Sequence, residues 1–261
     1  MSDSSDELFD LFLADAEQPF AGWDFAYLAD TGRMASEPLP WSYASVVLPH
    51  LRRVRAALDM GTGGGELLAL LRPFPPRMCA TEGYAPNVPI ARARLEPLDV
   101  AVYAIGDDDL LPFADAESFD LVINRHESYA PGEVARVLRP GGRFITQQVG
   151  VDNDVRLNEL LGIAHDVPWQ HWRLATARAQ LETAGFRVSE AREAFPNTRF
   201  YDIGAVAYYL NAVPWQAPGF SVPGHRDALR RIHQLIEREG HLEVANHRFF
   251  LVAQKGDAGR A

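Results

Sequence analysis

Ala56-Ala-Leu-Asp-Met-Gly-Thr-Gly-Gly-Gly-Glu66 decides the fold. An apolar run ends at Asp59, a glycine cluster follows, and the segment from Glu66 to Leu71 has helical composition, so the stretch reads as strand, loop and helix. Glycine allows positive φ and lets a ligand approach without a Cβ in the way. Such a loop brings backbone amides and a helix N-terminus close to a bound ligand. Asp59, Gly61, Thr62, Gly63 and Gly65 are therefore the first candidate ligand-binding residues. A dinucleotide loop of the form G-x-G-x-x-G needs glycine at position 66, where this chain has Glu66. That counts against a dehydrogenase.

Outward from the loop, short apolar runs alternate with amphipathic segments, the pattern of βαβ units and a parallel sheet. Strands are expected at Arg55 to Met60, Arg77 to Glu82, Val100 to Ile105, Phe119 to Asn124, Arg143 to Val149, Phe186 to Ala191 and His247 to Ala253. Helices fall between them, on both faces of one sheet by the right-handed crossover rule. Residues 1–50 read as an N-terminal helical cap and 51–261 as the ligand-binding domain, with a helical insert at about 197–246. Long additions of this kind often act as lids.

Two acidic signals follow the loop. In Cys79-Ala-Thr-Glu-Gly83 a carboxylate ends the second strand. An ionised carboxylate accepts two hydrogen bonds and suits the vicinal hydroxyls of a ribose, which makes Glu82, with Gly83 beside it, the second candidate. In Ile105-Gly-Asp-Asp-Asp-Leu-Leu-Pro-Phe113, Asp107 is placed to accept from an adenine amino group and Asp108 to turn its amide to the ring. Leu110, Leu111 and Phe113 would supply apolar surface there.

With these residues in place the chain resembles the class I S-adenosylmethionine-dependent methyltransferases over about residues 55 to 150. Their D-x-G-x-G-x-G motif corresponds to Asp59, Gly61, Gly63 and Gly65, and their ribose-binding acid to Glu82. Their G-D-x-x-x-L-P-F segment corresponds to Gly106, Asp107, Leu111, Pro112 and Phe113, and their F-D-L-V strand to Phe119 through Val122. Glu133-Val-Ala-Arg-Val-Leu-Arg-Pro-Gly-Gly-Arg143 matches their approach to the fifth strand. The resemblance implies an α/β, Rossmann-like, seven-stranded and mostly parallel sheet with a reversed last hairpin. It also implies S-adenosylmethionine as cofactor and methyl transfer as the activity.

Methyl transfer from a sulfonium needs mainly a positioned acceptor, and a base only where the acceptor must lose a proton. The acceptor belongs outside the carboxyl ends of the strands, which points to Asn124-Arg-His-Glu-Ser-Tyr129. His126 is the candidate catalytic residue, as proton acceptor or substrate contact, because imidazole titrates near physiological pH. Asn124 would line the cofactor pocket through its backbone. An Asn-Pro-Pro-Tyr type motif is absent, which disfavours amine methylation of DNA. The single cysteine, Cys79, lies within a strand, so neither a thiolate mechanism nor a disulfide nor a cysteine-rich zinc module is expected. No metal is expected either. Aromatic residues gather before the sheet (Trp23, Phe25, Tyr27, Trp41, Tyr43) and in the late insert (Phe200, Tyr201, Tyr208, Tyr209, Trp215), as they do around apolar acceptors.

The 261 residues carry 25 Lys and Arg against 35 Asp and Glu, a formal net charge of −10. That opposes general attraction to nucleic acid or anionic membrane. An acidic start without a signal-like apolar run and the lack of a spanning stretch predict a cytoplasmic protein. The expected function is methyl transfer to a small-molecule acceptor. The alternatives are RNA base methylation, because Glu127 through Gly142 is similar to its counterpart in large-subunit ribosomal RNA guanine methyltransferases, and a non-catalytic S-adenosylmethionine-binding regulator.

Overall fold

The computed structural model describes residues 2–20, 25–106, 110–113 and 118–256. In chain order its strands are β1 (Met34–Ser36), β2 (Ala56–Met60), β3 (Arg77–Glu82), β4 (Val100–Ala104), β5 (Phe119–Arg125), β6 (Leu138–Val149), β7 (Phe186–Ala194), β8 (Asn197–Phe200), β9 (Leu242–Ala245) and β10 (Arg248–Lys255). They form a seven-stranded and a three-stranded sheet, one in each of two compact units.

The larger unit holds residues 40–150, 171–194 and 248–261. Its sheet has the order β4-β3-β2-β5-β6-β10-β7, parallel from β4 to β6 and antiparallel where β10 enters between β6 and β7. All five residues of β2 are buried, as expected of a parallel strand covered on both faces. Flanking helices include Tyr43–Leu51, Asn87–Leu95, Pro131–Val137 and Leu174–Thr183. Leu58, Met60, Phe119, Val122, Phe144, Leu181, Phe249 and Leu251 share one core. Each such side chain contributes roughly 1.5–3 kcal/mol by leaving water. Strand order reverses at β2, whose neighbours are β3 and β5, so a crevice is expected at the carboxyl end of β2. Asp59 and the glycine loop stand there.

The smaller unit holds residues 1–39, 151–170 and 195–247. Its sheet has the order β1-β8-β9, antiparallel throughout. Phe9, Leu28, Phe200, Ile203, Val206, Leu229, Ile232 and Val244 form its core. Helix Ile203–Ala212 starts on Asp202, which caps the Ala205 amide at 2.8 Å and holds Arg33 through two bonds of 2.7 and 2.6 Å. Helix Arg226–Glu239 buries Ala228, Leu229, Ile232, His233 and Ile236 on one face and ends at Gly240, φ +82°.

The segments that periodicity separates into a cap and an insert thus share one sheet and one core. Helix Tyr43–Leu51, read as cap, falls in the larger unit instead. The stretch from Val151 to Trp172, polar in sequence, contains helix Val155–Leu161. No helix among the described residues is long and apolar enough to cross a membrane.

Candidate functional site

The glycine loop is built around two positions where only glycine fits. Gly61 has φ +67°, and a Cβ there would run into the Glu127 side chain. Gly65 has φ +80°, and its Cβ would stand 2.8 Å from the Leu95 side chain. The Thr62 amide donates to the Thr81 carbonyl at 2.9 Å and the Gly65 amide to the Thr62 carbonyl at 3.0 Å. Arg94 braces the far side, donating to the Gly64 carbonyl and the Glu66 carboxylate. Among the described residues, the Gly63 and Gly64 amides have no acceptor, so two donors remain for a ligand. The following helix, Glu66–Leu70, has only five residues, so the loop amides, more than a helix dipole, carry the binding capacity.

Two carboxylates flank this loop. Glu82 ends β3 at 2% exposure and accepts the Tyr84 amide at 2.7 Å. Gly83 follows it at the surface. Asp59, the last residue but one of β2, is 8% exposed. Burial pushes the Asp59 carboxyl up to about 7, with the Glu82 charge adding to the rise, while Thr62 and Arg125 pull the other way. The Thr62 hydroxyl lies beside it without closing a hydrogen bond. Tyr43, at the start of helix Tyr43–Leu51, brings a third group. Its hydroxyl approaches the Asn124 amide but makes no hydrogen bond among the described residues. Burial first and the Asp59 charge second hold its pKa well above the usual phenol value. A hydroxyl buried unpaired costs free energy that a ligand atom could relieve.

β5 ends at Arg125 and the chain turns at His126, φ +63°. The Asn124 side chain is consumed in a buried network, accepting from Thr146 Oγ1 at 2.8 Å and Gln148 Nε2 at 2.6 Å. Only its backbone is left to face a ligand. The His126 amide donates to the Gln147 carbonyl at 2.8 Å, and its ring Nε2 lies 3.0 Å from Gln147 Nε2. Gln147 Oε1 accepts from Trp41 Nε1 at 2.9 Å. His126 is exposed as a residue, and desolvation of its ring is the first cause acting on its pKa. Arg125 and Arg248 add positive charge, and together these hold its pKa well below the usual histidine value.

Of the three apolar residues expected near an adenine, Leu111 and Phe113 are core residues, and Leu110 alone is open, at 74% exposure. Phe113 packs edge-on against Tyr103 and Phe119. Asp107 and Asp108 lie outside the described residues. Glu133 accepts the Leu111 amide at 2.8 Å and two Arg136 donors at 2.8 and 2.6 Å. Arg136 in turn donates to the Phe113 carbonyl at 2.8 Å. This pair pins the segment that leads out of the site.

A family model described as a methyltransferase domain matches residues 58–146, from β2 to the middle of β6. The chain carries a class I methyltransferase domain. The glycine loop, Glu82 and the β5 turn all lie inside the matched region. No curated protein matches the chain. Solved structures share the fold at low identity. A protein assigned as a methyltransferase from Bacillus halodurans has 17% identity over 81% of this chain and 98% of its own, with a TM-score of 0.58. The [4+2]-cyclase SpnF has 18% identity over 82% and 81%, TM-score 0.53. A protein assigned as a sarcosine dimethylglycine methyltransferase from Galdieria sulphuraria has 17% over 82% and 83%, TM-score 0.51. A cyclase among these shows that the fold does not choose the reaction.

Sequence reasoning missed several residues of this methyltransferase domain. Gln147 and Arg248 carry no motif, while Glu133 and Arg136 stand out only as part of the approach to the fifth strand and Trp41 only as one aromatic among several; tertiary pairing gives all five their places. Thr146-Gln-Gln148 was the one available signal, because three consecutive polar residues in a buried strand need partners.

Proposed function

We propose that this enzyme binds S-adenosylmethionine at the carboxyl end of β2 and transfers its methyl group to a small-molecule acceptor. The observation that carries the cofactor is Glu82, a buried carboxylate at the end of the strand beside two unpaired loop amides. The residues fit the group. Glu82 is placed for two ribose hydroxyls. The Gly63 and Gly64 amides suit a carboxylate. Asp59, costly to ionise when no cation is near, suits a positively charged ligand. The donor's sulfonium supplies an already activated methyl group. The chain's own task is then to orient the acceptor and to exclude water.

Net charge of −10 favours a small acceptor over RNA, since it supplies no broad attraction to phosphates. Calorimetry with S-adenosylmethionine, S-adenosylhomocysteine and NAD tests the cofactor. Binding of the first two and not the third is expected, and preference for NAD would reject the reading. Incubation with small metabolites and, separately, with RNA then tests the acceptor. S-adenosylhomocysteine formed only with RNA would overturn the small-molecule assignment, and tight binding without turnover on either would favour a regulator.

A further inference from the structure

The hydrogen bonds around His126 determine which of its ring nitrogens carries the proton. Trp41 Nε1 is a donor only, and it stands 2.9 Å from Gln147 Oε1. The Gln147 amide must therefore turn its oxygen to Trp41 and its nitrogen to His126, since the flipped amide would set two donors face to face. That nitrogen lies 3.0 Å from His126 Nε2 and has no lone pair to offer. His126 Nε2 is then the acceptor, and the neutral ring carries its proton on Nδ1.

The arrangement is rigid on both sides. Gln147 is 2% exposed and sits in β6, paired to Arg125 of β5 and to Phe250 of β10. Trp41 is 8% exposed with its ring 6.1 Å from that of Phe250. Protonating His126 Nε2 would break the bond from Gln147 and place an imidazolium beside Arg125, its chain neighbour, and Arg248, the first residue of β10. Among the described residues the ring has no other hydrogen-bond partner, and His126 is exposed as a residue. What it can present is a single Nδ1–H donor that feels the positive charge of Arg125 and Arg248.

We infer that His126 serves as a fixed Nδ1–H donor to a negatively charged oxygen of the acceptor, and not as the base that deprotonates it, with Trp41 and Gln147 as positioning residues. This rests on the reading that the crevice beside β5 receives the acceptor. The acceptors it fits carry a carboxylate, a phosphate or an ionised phenol. Among these, an acceptor that arrives as an oxyanion needs no base at all.

The test uses the full chain without any methyl donor, so it stands apart from the test of cofactor binding. NMR of nitrogen-labelled histidine, with His126 assigned by its loss in H126N, should show Nδ1 protonated and Nε2 bare at neutral pH. Gln147→Leu should shift the ring to the commoner Nε2–H form and raise its pKa. Trp41→Phe, which frees the amide to flip, should do so partly. Benzoate and inorganic phosphate, titrated separately, should move the Nδ1 signal, whereas benzamide should not, and the stronger of the two anions identifies the acceptor class. H126N keeps an amide donor near Nδ1 and tolerates positive φ, so it should hold benzoate within about threefold, whereas H126L should lose about tenfold. An Nε2–H ring in the native protein, an imidazolium titrating at the ordinary histidine value, or equal response to benzoate and benzamide would overturn the assignment.

Discussion

The side chain of Glu127 lies over Gly61, in the space that a Cβ at position 61 would fill. The turn after β5 therefore closes directly onto the loop after β2, with no room between them for even a methyl group. Gly61→Ala should cost about 1–2 kcal/mol of stability from its φ alone, because an L-residue is strained there. The displaced Glu127 should also disturb the ligand side. Urea unfolding measures the first effect and calorimetry with S-adenosylhomocysteine the second; a variant with native affinity would mean that the loop does not bind the donor.

Glu82→Ala should weaken S-adenosylhomocysteine binding by about 1.5–3 kcal/mol if its hydrogen bonds to the ribose are charge-assisted. The same variant should lose far less against a ligand lacking the ribose hydroxyls. Equal losses for both ligands would place Glu82 elsewhere.

Asp59 has its pKa raised from 3.8 to about 7, so the ligand-free folded state holds this proton more tightly than the unfolded chain. Its contribution to stability is thus fully present below about pH 4 and is lost as pH rises through about 7. Asp59→Asn removes that dependence. It should be more stable than the parent by about 2–4 kcal/mol at about pH 8 and indistinguishable from it at about pH 4. Parallel unfolding curves for the two proteins across that range would refute the buried, unpaired state of Asp59.

Tyr43 buries a hydroxyl without a hydrogen bond among the described residues. Tyr43→Phe should leave the ligand-free protein as stable as before or up to about 1 kcal/mol more so, since it removes a polar atom that gains nothing from burial. Donor affinity should fall at the same time. A variant that instead loses stability in the absence of ligand would show that the hydroxyl has a structural partner.

Glu133 and Arg136 act as one brace on Leu111 and Phe113. Glu133→Ala leaves the Leu111 amide without its acceptor and Arg136 without its carboxylate, and should cost about 1–3 kcal/mol. Arg136→Ala on that background should add little, because the pair has already been broken. Additive losses in a double-mutant cycle would argue that each residue works alone.

By itself the sequence determined the sheet, its loop and Glu82, because each depends on residues adjacent in the chain. Apolar runs such as Ala56 to Met60 report burial on both faces, and glycines at 61 and 65 report positive φ at places where a Cβ would also meet a neighbouring side chain. Strands of three and four residues, β1, β8 and β9, were not legible, since so few residues show no alternation and their stability comes from partners far along the chain. Only the tertiary structure decided the rest of the site. Leu111 and Phe113 look like pocket residues in sequence, yet packing against Tyr103 and Phe119 takes Phe113 into the core. His126 reads in sequence as a proton acceptor or substrate contact because of its intrinsic pKa. Its partners, Gln147 and Trp41, come from β6 and from ahead of β2, and our inference that it is a donor rests on the directions of their hydrogen bonds. Periodicity reports which face is buried, but the state of a proton depends on which atoms the fold sets within about 3 Å of it.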